Sequence, residues 1–188
     1  MVYQAAWSSD HGFFDAGNFF SFFTIESNIL TAVVLGVGAL RDPLGHGWQL
    51  FRGAVTLYMT ITGIVYNLLL TDTGVGLTQA WVNDSLHRIL PLVILIDFLL
   101  VPPVPPPTYR QAIAFLAFPL AYFGYSLIRG AIVDWYPYPF MDVNRHGYDG
   151  VALIAVLLAV AMTALTCGLA WINRRLVLHR ARVHHEVV

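Results

Sequence analysis

The sequence predicts an all-α protein, a polytopic bundle of about five helices that cross a membrane, and three observations carry this. Of its 188 residues, 57% are hydrophobic and 11% charged, about half the charge of an average soluble domain. The ten Arg and eleven Asp or Glu crowd outside five apolar stretches, 19–40, 53–71, 89–109, 111–128 and 150–173, which between them hold only Glu26 and Asp97. Each stretch is close to the ~20 residues that cross ~30 Å of hydrocarbon at ~1.5 Å per residue. Lipid offers a backbone N–H or C=O no partner, so single runs of this length must be helices.

The first span is expected at about 19–40, ending at Arg41-Asp42-Pro43. The second, about 53–71, stops at Asp72 and the loose segment Gly74–Gly76. A third, about 81–101, runs into Pro102-Pro103-Val104-Pro105-Pro106-Pro107, which cannot stay helical and is expected as a stiff polyproline connector. The fourth covers about 109–130 and is followed by an aromatic loop. The fifth covers about 150–173 and is apolar almost throughout. No repeat or polar linker divides the chain, so residues 1–188 read as a single integral membrane domain.

Other classes fall away on composition. A mean hydropathy of +0.65 and a net charge of −1 exclude a disordered chain and leave no basic field for nucleic acid. The lone Cys167 excludes a disulfide framework or a cysteine metal site. Residues 1–18 carry no Arg and hold Asp10 and Asp15, unlike a signal peptide. Neither metal nor cofactor is expected. His179, His184 and His185 fit a solvated basic tail better than a metal site.

Five spans put the termini on opposite sides of the membrane. With the tail inside, the inner segments hold Arg41, Arg52, Arg110, Arg174, Arg175, Arg180 and Arg182, and the outer ones Arg88, Arg129 and Arg145. The excess predicts a cell-membrane protein with its N-terminus outside and its C-terminus cytoplasmic.

Polar groups inside a membrane are costly, so their positions carry information. Thr24, Asn28 and Thr31 fall on one face of the first span; Thr56, Thr60 and Asn67 form a stripe on the second. The third carries Asp84 and His87 one turn apart, with Asp97 deeper. Tyr122, Ser126 and Arg129 line one face of the fourth. These stripes should turn inward and meet. With Asn18, Trp81 and Trp135 marking the outer boundary, Thr24, His87 and Arg129 each lie six residues in, about 9 Å deep. They are expected to converge on one cavity, with the Thr24 hydroxyl within about 4 Å of a His87 ring nitrogen. The plainer alternative is that Thr24 bonds back to its own helix, His87 is packed, and Arg129 snorkels to the headgroups.

Two stretches carry a resemblance. They are Phe22-Phe23-Thr24-Ile25-Glu26-Ser27-Asn28 and Trp81-Val82-Asn83-Asp84-Ser85-Leu86-His87-Arg88-Ile89-Leu90-Pro91-Leu92. With the loop Arg129-Gly130-Ala131-Ile132-Val133-Asp134-Trp135-Tyr136-Pro137-Tyr138-Pro139-Phe140, they resemble the androgen-induced and androgen-dependent TFPI-regulating protein-like membrane hydrolase family and its GC-rich bacterial integral membrane relatives. The family is usually six-span, and this chain has room for five; Glu26 stands where an amide is common in the bacterial relatives. The resemblance implies an intramembrane hydrolase of fatty acid esters of hydroxy fatty acids, with Thr24 as nucleophile and His87 as its partner.

On that basis His87 is the expected general base, Asp84 orients its ring, and Asn28 or Arg129 stabilises the oxyanion. Trp135, Tyr136 and Tyr138 cap the site as a lid. The expected partners are the bilayer and a lipid or acyl-ester substrate that enters laterally between helices. The competing class is a non-catalytic lipid-binding or scaffold protein whose polar stripes only hold helices together. Oligomeric state has no signature in the sequence.

Overall fold

The computed structural model describes residues 15–41, 43–71 and 79–186, with Ala6 and Ser9 besides. The Asp72 stop, the Gly74–Gly76 segment, Asp42, Asp10 and the side chains of His184 and His185 lie outside the described residues. Within them every regular element is a helix, and the all-α expectation holds. The elements are α1 (Ala16–Phe19), α2 (Phe23–Arg41), α3 (His46–Val65), α4 (Ala80–Asp84), α5 (Leu90–Leu100), α6 (Tyr109–Ala114), α7 (Ala117–Val133) and α8 (Val143–Glu186). A π-helical turn, Tyr66–Leu70, extends α3; another, Ser85–Ile89, joins α4 to α5. Among the described residues these make five rods: α2, α3 with its π-turn, α4 through α5, α6–α7, and α8.

Among the described residues four stretches are long and apolar enough to cross a membrane: Phe23–Arg41, His46–Leu70, Tyr109–Val133 and Val143–Val183. They fit a multi-pass membrane protein. The third rod is helical from Ala80 to Leu100 and carries three charges, each paired. Asp84 binds Arg88 one turn on, and Asp97 receives Arg52 Nη2 at 2.8 Å.

Several helix ends differ from the apolar counts, each for a physical reason. The second rod begins seven residues earlier than expected, at His46. Arg52 is buried there, bonded to Asp97, to the Val101 carbonyl and to Gln49. A charge with three partners does not end a span. The fourth rod is broken at Phe115–Leu116, because Pro119 has no N–H for the Phe115 carbonyl. The Tyr58 hydroxyl donates to that carbonyl instead, at 3.0 Å. The fifth helix overruns both ends of its apolar core. It starts at Val143, kinks at Gly147 (φ +66°), and runs on to Glu186. Its basic end is tied down: Arg174 lies over the Tyr109 ring at 4.5 Å, and Arg180 donates to the Leu99 and Leu100 carbonyls. The proline run is non-helical and contains a cis Val104–Pro105 bond.

The rod α3 is the hub. Its residues Gly53 to Met59 are buried without interruption, and it packs on α2, α5, α6 and α8. Hydrophobic exclusion gives little drive between helices in lipid, so small residues and cross-helix hydrogen bonds carry the packing. Gly63 shows this. A Cβ there would sit 3.1 Å from Pro91 Cβ and 3.4 Å from the His87 carbonyl oxygen. The bundle therefore has two polar ends: one around Arg52 and Asp97, the other around Thr24 and His87, the site end.

Candidate active site

The first turn of a helix leaves N–H groups without intrahelical partners. At the start of α2 two tyrosines supply them. Tyr122 Oη accepts from Phe23 N–H at 3.3 Å and donates to the Ser21 carbonyl at 2.8 Å. Tyr138 Oη accepts from Thr24 N–H, also at 3.3 Å. Capping thus draws a residue of the aromatic loop into the bundle, where it is 6% exposed and stacked on Phe140.

Thr24 sits in that first turn, 5% exposed. Its hydroxyl lies 3.1 Å from His87 Nε2 and 3.4 Å from Tyr138 Oη. Nearly every other threonine hydroxyl within the rods bonds to the carbonyl four residues back, as Thr31, Thr56, Thr60, Thr62, Thr163 and Thr166 do. Thr24 bonds across helices. The back-bonding alternative is therefore not what this side chain does.

His87 comes from the π-turn Ser85–Ile89, where the Leu90 N–H reaches five residues back to the Ser85 carbonyl. Pro91 lies four residues after His87 and has no N–H for the His87 carbonyl, which favours such a local shift of register. His87 Nδ1 lies 3.0 Å from the Asn83 carbonyl oxygen. A carbonyl only accepts, so Nδ1 carries the proton and Nε2 presents its lone pair to Thr24. The ring also stacks on Tyr66 at 4.1 Å and 22°. Tyr66 itself belongs to the other π-turn, and its hydroxyl accepts from the Asn83 side chain.

The hydrogen bonds then run in one direction. Tyr138 O–H faces Thr24 Oγ1, Thr24 O–H faces His87 Nε2, and His87 Nδ1–H faces the Asn83 carbonyl. Burial pushes the Tyr138 phenol above its ordinary range, so it keeps its proton and remains a donor. This is the arrangement of a hydroxyl nucleophile with an oriented base.

Three expected supporting residues sit otherwise. Asp84 does not touch the imidazole; it pairs with Arg88 and is half exposed. The Asn83 carbonyl does the orienting instead. Asn28 donates its amide to the Thr24 and Leu86 carbonyls, at 2.8 and 3.2 Å. It ties α2 to the π-turn and has no N–H left for an oxyanion. Arg129 is kept from Thr24 by aromatic rings. Its Nη2 donates to Asn18 Oδ1 at 2.8 Å, and its guanidinium lies 5.2 Å from the Trp135 ring centre. Trp135 meets Phe22 edge-on, and Phe22 meets Tyr138. The structure thus brings Thr24 and His87 together, while Arg129 bonds to Asn18 instead.

The expected lid divides into separate parts. Trp135 stays at the rim and Tyr138 enters the site. Tyr136 lies flush on Gly130, where a Cβ would come within 2.1 Å of its ring. Asp134, with φ +53°, ends α7 and starts this turn. No residue pattern announces Tyr66, the donor role of Tyr138 or the Asn83 carbonyl; Pro91, four residues after His87, is the sequence signal for the π-turn.

A cavity of about 230 Å³ opens beside Thr24 between α3, α7 and α8. No group of His, Cys, Asp and Glu that could hold a metal ion occurs among the described residues.

Compared with known families, residues 54–174 match the one described as FAR-17a/AIG1-like protein. The match contains His87, Pro91, Arg129 and the aromatic loop; Thr24 and Asn28 precede it. No curated protein and no solved structure matches the chain.

Proposed function

Since the chain belongs to the FAR-17a/AIG1-like family, we propose that it is an intramembrane lipid ester hydrolase in which Thr24 is the nucleophile and His87 the general base. The observation that carries this is the 3.1 Å contact between Thr24 Oγ1 and His87 Nε2, made by a threonine that forgoes the back-bond its neighbours use.

In the proposed cycle Thr24 Oγ attacks the ester carbonyl carbon while its proton passes to His87 Nε2. The carbonyl oxygen becomes an oxyanion beside Tyr138, whose hydroxyl donates to it. One such donor in a dry site is worth about 3 kcal/mol of barrier. Collapse breaks the bond to the alcohol oxygen, and His87 returns the proton to that leaving group. Water, activated by His87, then attacks the acyl-threonine. The fatty acid leaves and Thr24 is restored. The substrate class that the family resemblance favours is an ester of a hydroxy fatty acid.

The single domain over residues 1–188, its five spans and its orientation belong to the same proposal, which puts the site in the extracytoplasmic half of a cell membrane.

The test is hydrolysis of a p-nitrophenyl or branched hydroxy-fatty-acid ester by detergent-solubilised protein. Thr24→Ala and His87→Ala should each abolish turnover. The double variant should be no worse than either, because residues of one catalytic unit are non-additive. Thermal stability of Thr24→Ala should change little, since one hydrogen bond contributes about 0.5–1.5 kcal/mol. If Thr24 and His87 were only a structural pair, their variants would lose stability and turnover would follow the folded fraction; full activity in folded Thr24→Ala would refute the proposal.

A further inference from the structure

The cavity beside Thr24 is polar at one end only. The hydroxyls of Thr24, Tyr122 and Tyr138 gather at the start of α2. The other two hydroxyls in the wall, Thr62 and Thr163, are turned onto carbonyls of their own helices, at 2.9 and 2.7 Å. Beyond Thr24 the lining is hydrocarbon, drawn from α3, α7 and α8. On α8 it is one helical face, Ala155, Leu158, Ala159, Met162 and Thr163, and Ala155 and Ala159 are the small residues that leave the space.

The position of His87 fixes which half of an ester this space takes. Thr24 lines the cavity and His87 does not. The leaving alcohol must receive its proton from His87 Nε2, so it departs on the imidazole side. The acyl group, attached to the carbon under attack, is left on the cavity side. From Ala155 to Thr163 the wall extends about 12 Å along α8, at ~1.5 Å per residue. An extended alkyl chain advances roughly 1.25 Å per carbon, from ~1.5 Å bonds at near-tetrahedral angles, so that stretch takes about nine carbons. Leu120, 61% exposed at the rim, marks where a longer chain would pass out between α7 and α8 into lipid.

We infer that this cavity is an acyl channel: it holds the first nine or so carbons of the acyl chain delivered to Thr24, and Ala155 and Ala159 set how much chain it admits. The inference rests on the hydrolase reading for the identity of its ligand.

Two measurements separate the inference from that reading. The first is a series of straight-chain p-nitrophenyl esters. kcat/KM should climb about tenfold or more from acetyl to decanoyl, as contacts in a hydrophobic pocket accumulate, and then level off. Ala159→Trp should depress the ratio of decanoyl to butyryl turnover about tenfold. Ala155→Leu, a milder change one turn away, should depress it less, and thermal melting checks that both variants fold. The second measurement needs no catalysis. A diazirine fatty acid should cross-link to the Ala155–Thr163 face in wild type and in Thr24→Ala, and Ala159→Trp should lose that adduct. Cross-linking without ester hydrolysis would uphold the channel and overturn the hydrolase reading. Hydrolysis with an unchanged chain-length ratio in both variants, and no adduct on α8, would overturn the channel alone.

Discussion

The imidazole of His87 stacks on the phenol ring of Tyr66, centroids 4.1 Å apart, and each ring is carried by its own π-helical turn. Two local departures from α-helical register therefore face each other where the proposed base is held. His87 sits inside its π-turn and reaches across to Thr24 on α2, in keeping with the frequent use of such turns at functional sites.

Tyr66 should accordingly act as a positioning residue. Tyr66→Leu removes the stack and the Asn83 tie, and an aromatic pair is worth about 0.5–1.5 kcal/mol. Turnover is expected to fall roughly three- to tenfold, with a change in the pH profile that a purely structural residue would not cause. Tyr66→Phe keeps the stack and should retain most of the rate. Asp84→Asn should change turnover less than about threefold, because its partner is Arg88 at the surface and such pairs contribute about 1 kcal/mol or less. A large loss in Asp84→Asn would restore Asp84 as the orienting group and displace the Asn83 carbonyl.

The Gly130–Tyr136 contact is testable by rescue. An added Cβ at Gly130 would fall 2.1 Å from the Tyr136 ring, so Gly130→Ala should force the aromatic loop outward and cost about 1–3 kcal/mol. Turnover should drop with it, because the same loop delivers Tyr138 to Thr24. Gly130→Ala with Tyr136→Ala should recover stability relative to Gly130→Ala alone. Thermal unfolding and ester hydrolysis on the four proteins read both effects; absence of rescue would show that the clash is not the cause.

Orientation is checked on the described end of α8. In a Cys167→Ala background, Ala181→Cys should resist a membrane-impermeant maleimide in intact cells and react once the cells are opened. Labelling in intact cells would reverse the proposed orientation and move the site to the cytoplasmic half.

What the sequence made legible was whatever depends on one residue at one depth. Apolar runs located the rods because lipid forbids unpaired backbone, and six-residue offsets from Asn18 and Trp81 pointed to Thr24 and His87 as neighbours, which they are. The same count failed for Arg129: a long side chain does not end at the depth of its Cα, and Asn18 and Trp135 hold this one at the rim. Arg52 reads as a span boundary until its partner Asp97, on another helix, is seen. The group that orients His87 is a backbone carbonyl, which no residue type announces. Tyr138 was legible as part of an aromatic loop, but its place beside Thr24 follows from the unpaired N–H groups of α2, a need that exists only once the helix has formed.

The most direct test of the central claim is to trap the nucleophile. A fluorophosphonate carrying a lipid-like chain should react with the purified protein in detergent, and peptide mass spectrometry should place the phosphonate on Thr24. Thr24→Ala should give no adduct, and His87→Ala should slow labelling by at least about a hundredfold, as loss of a general base does. An adduct of equal yield in folded Thr24→Ala, carried by another residue, would contradict the account.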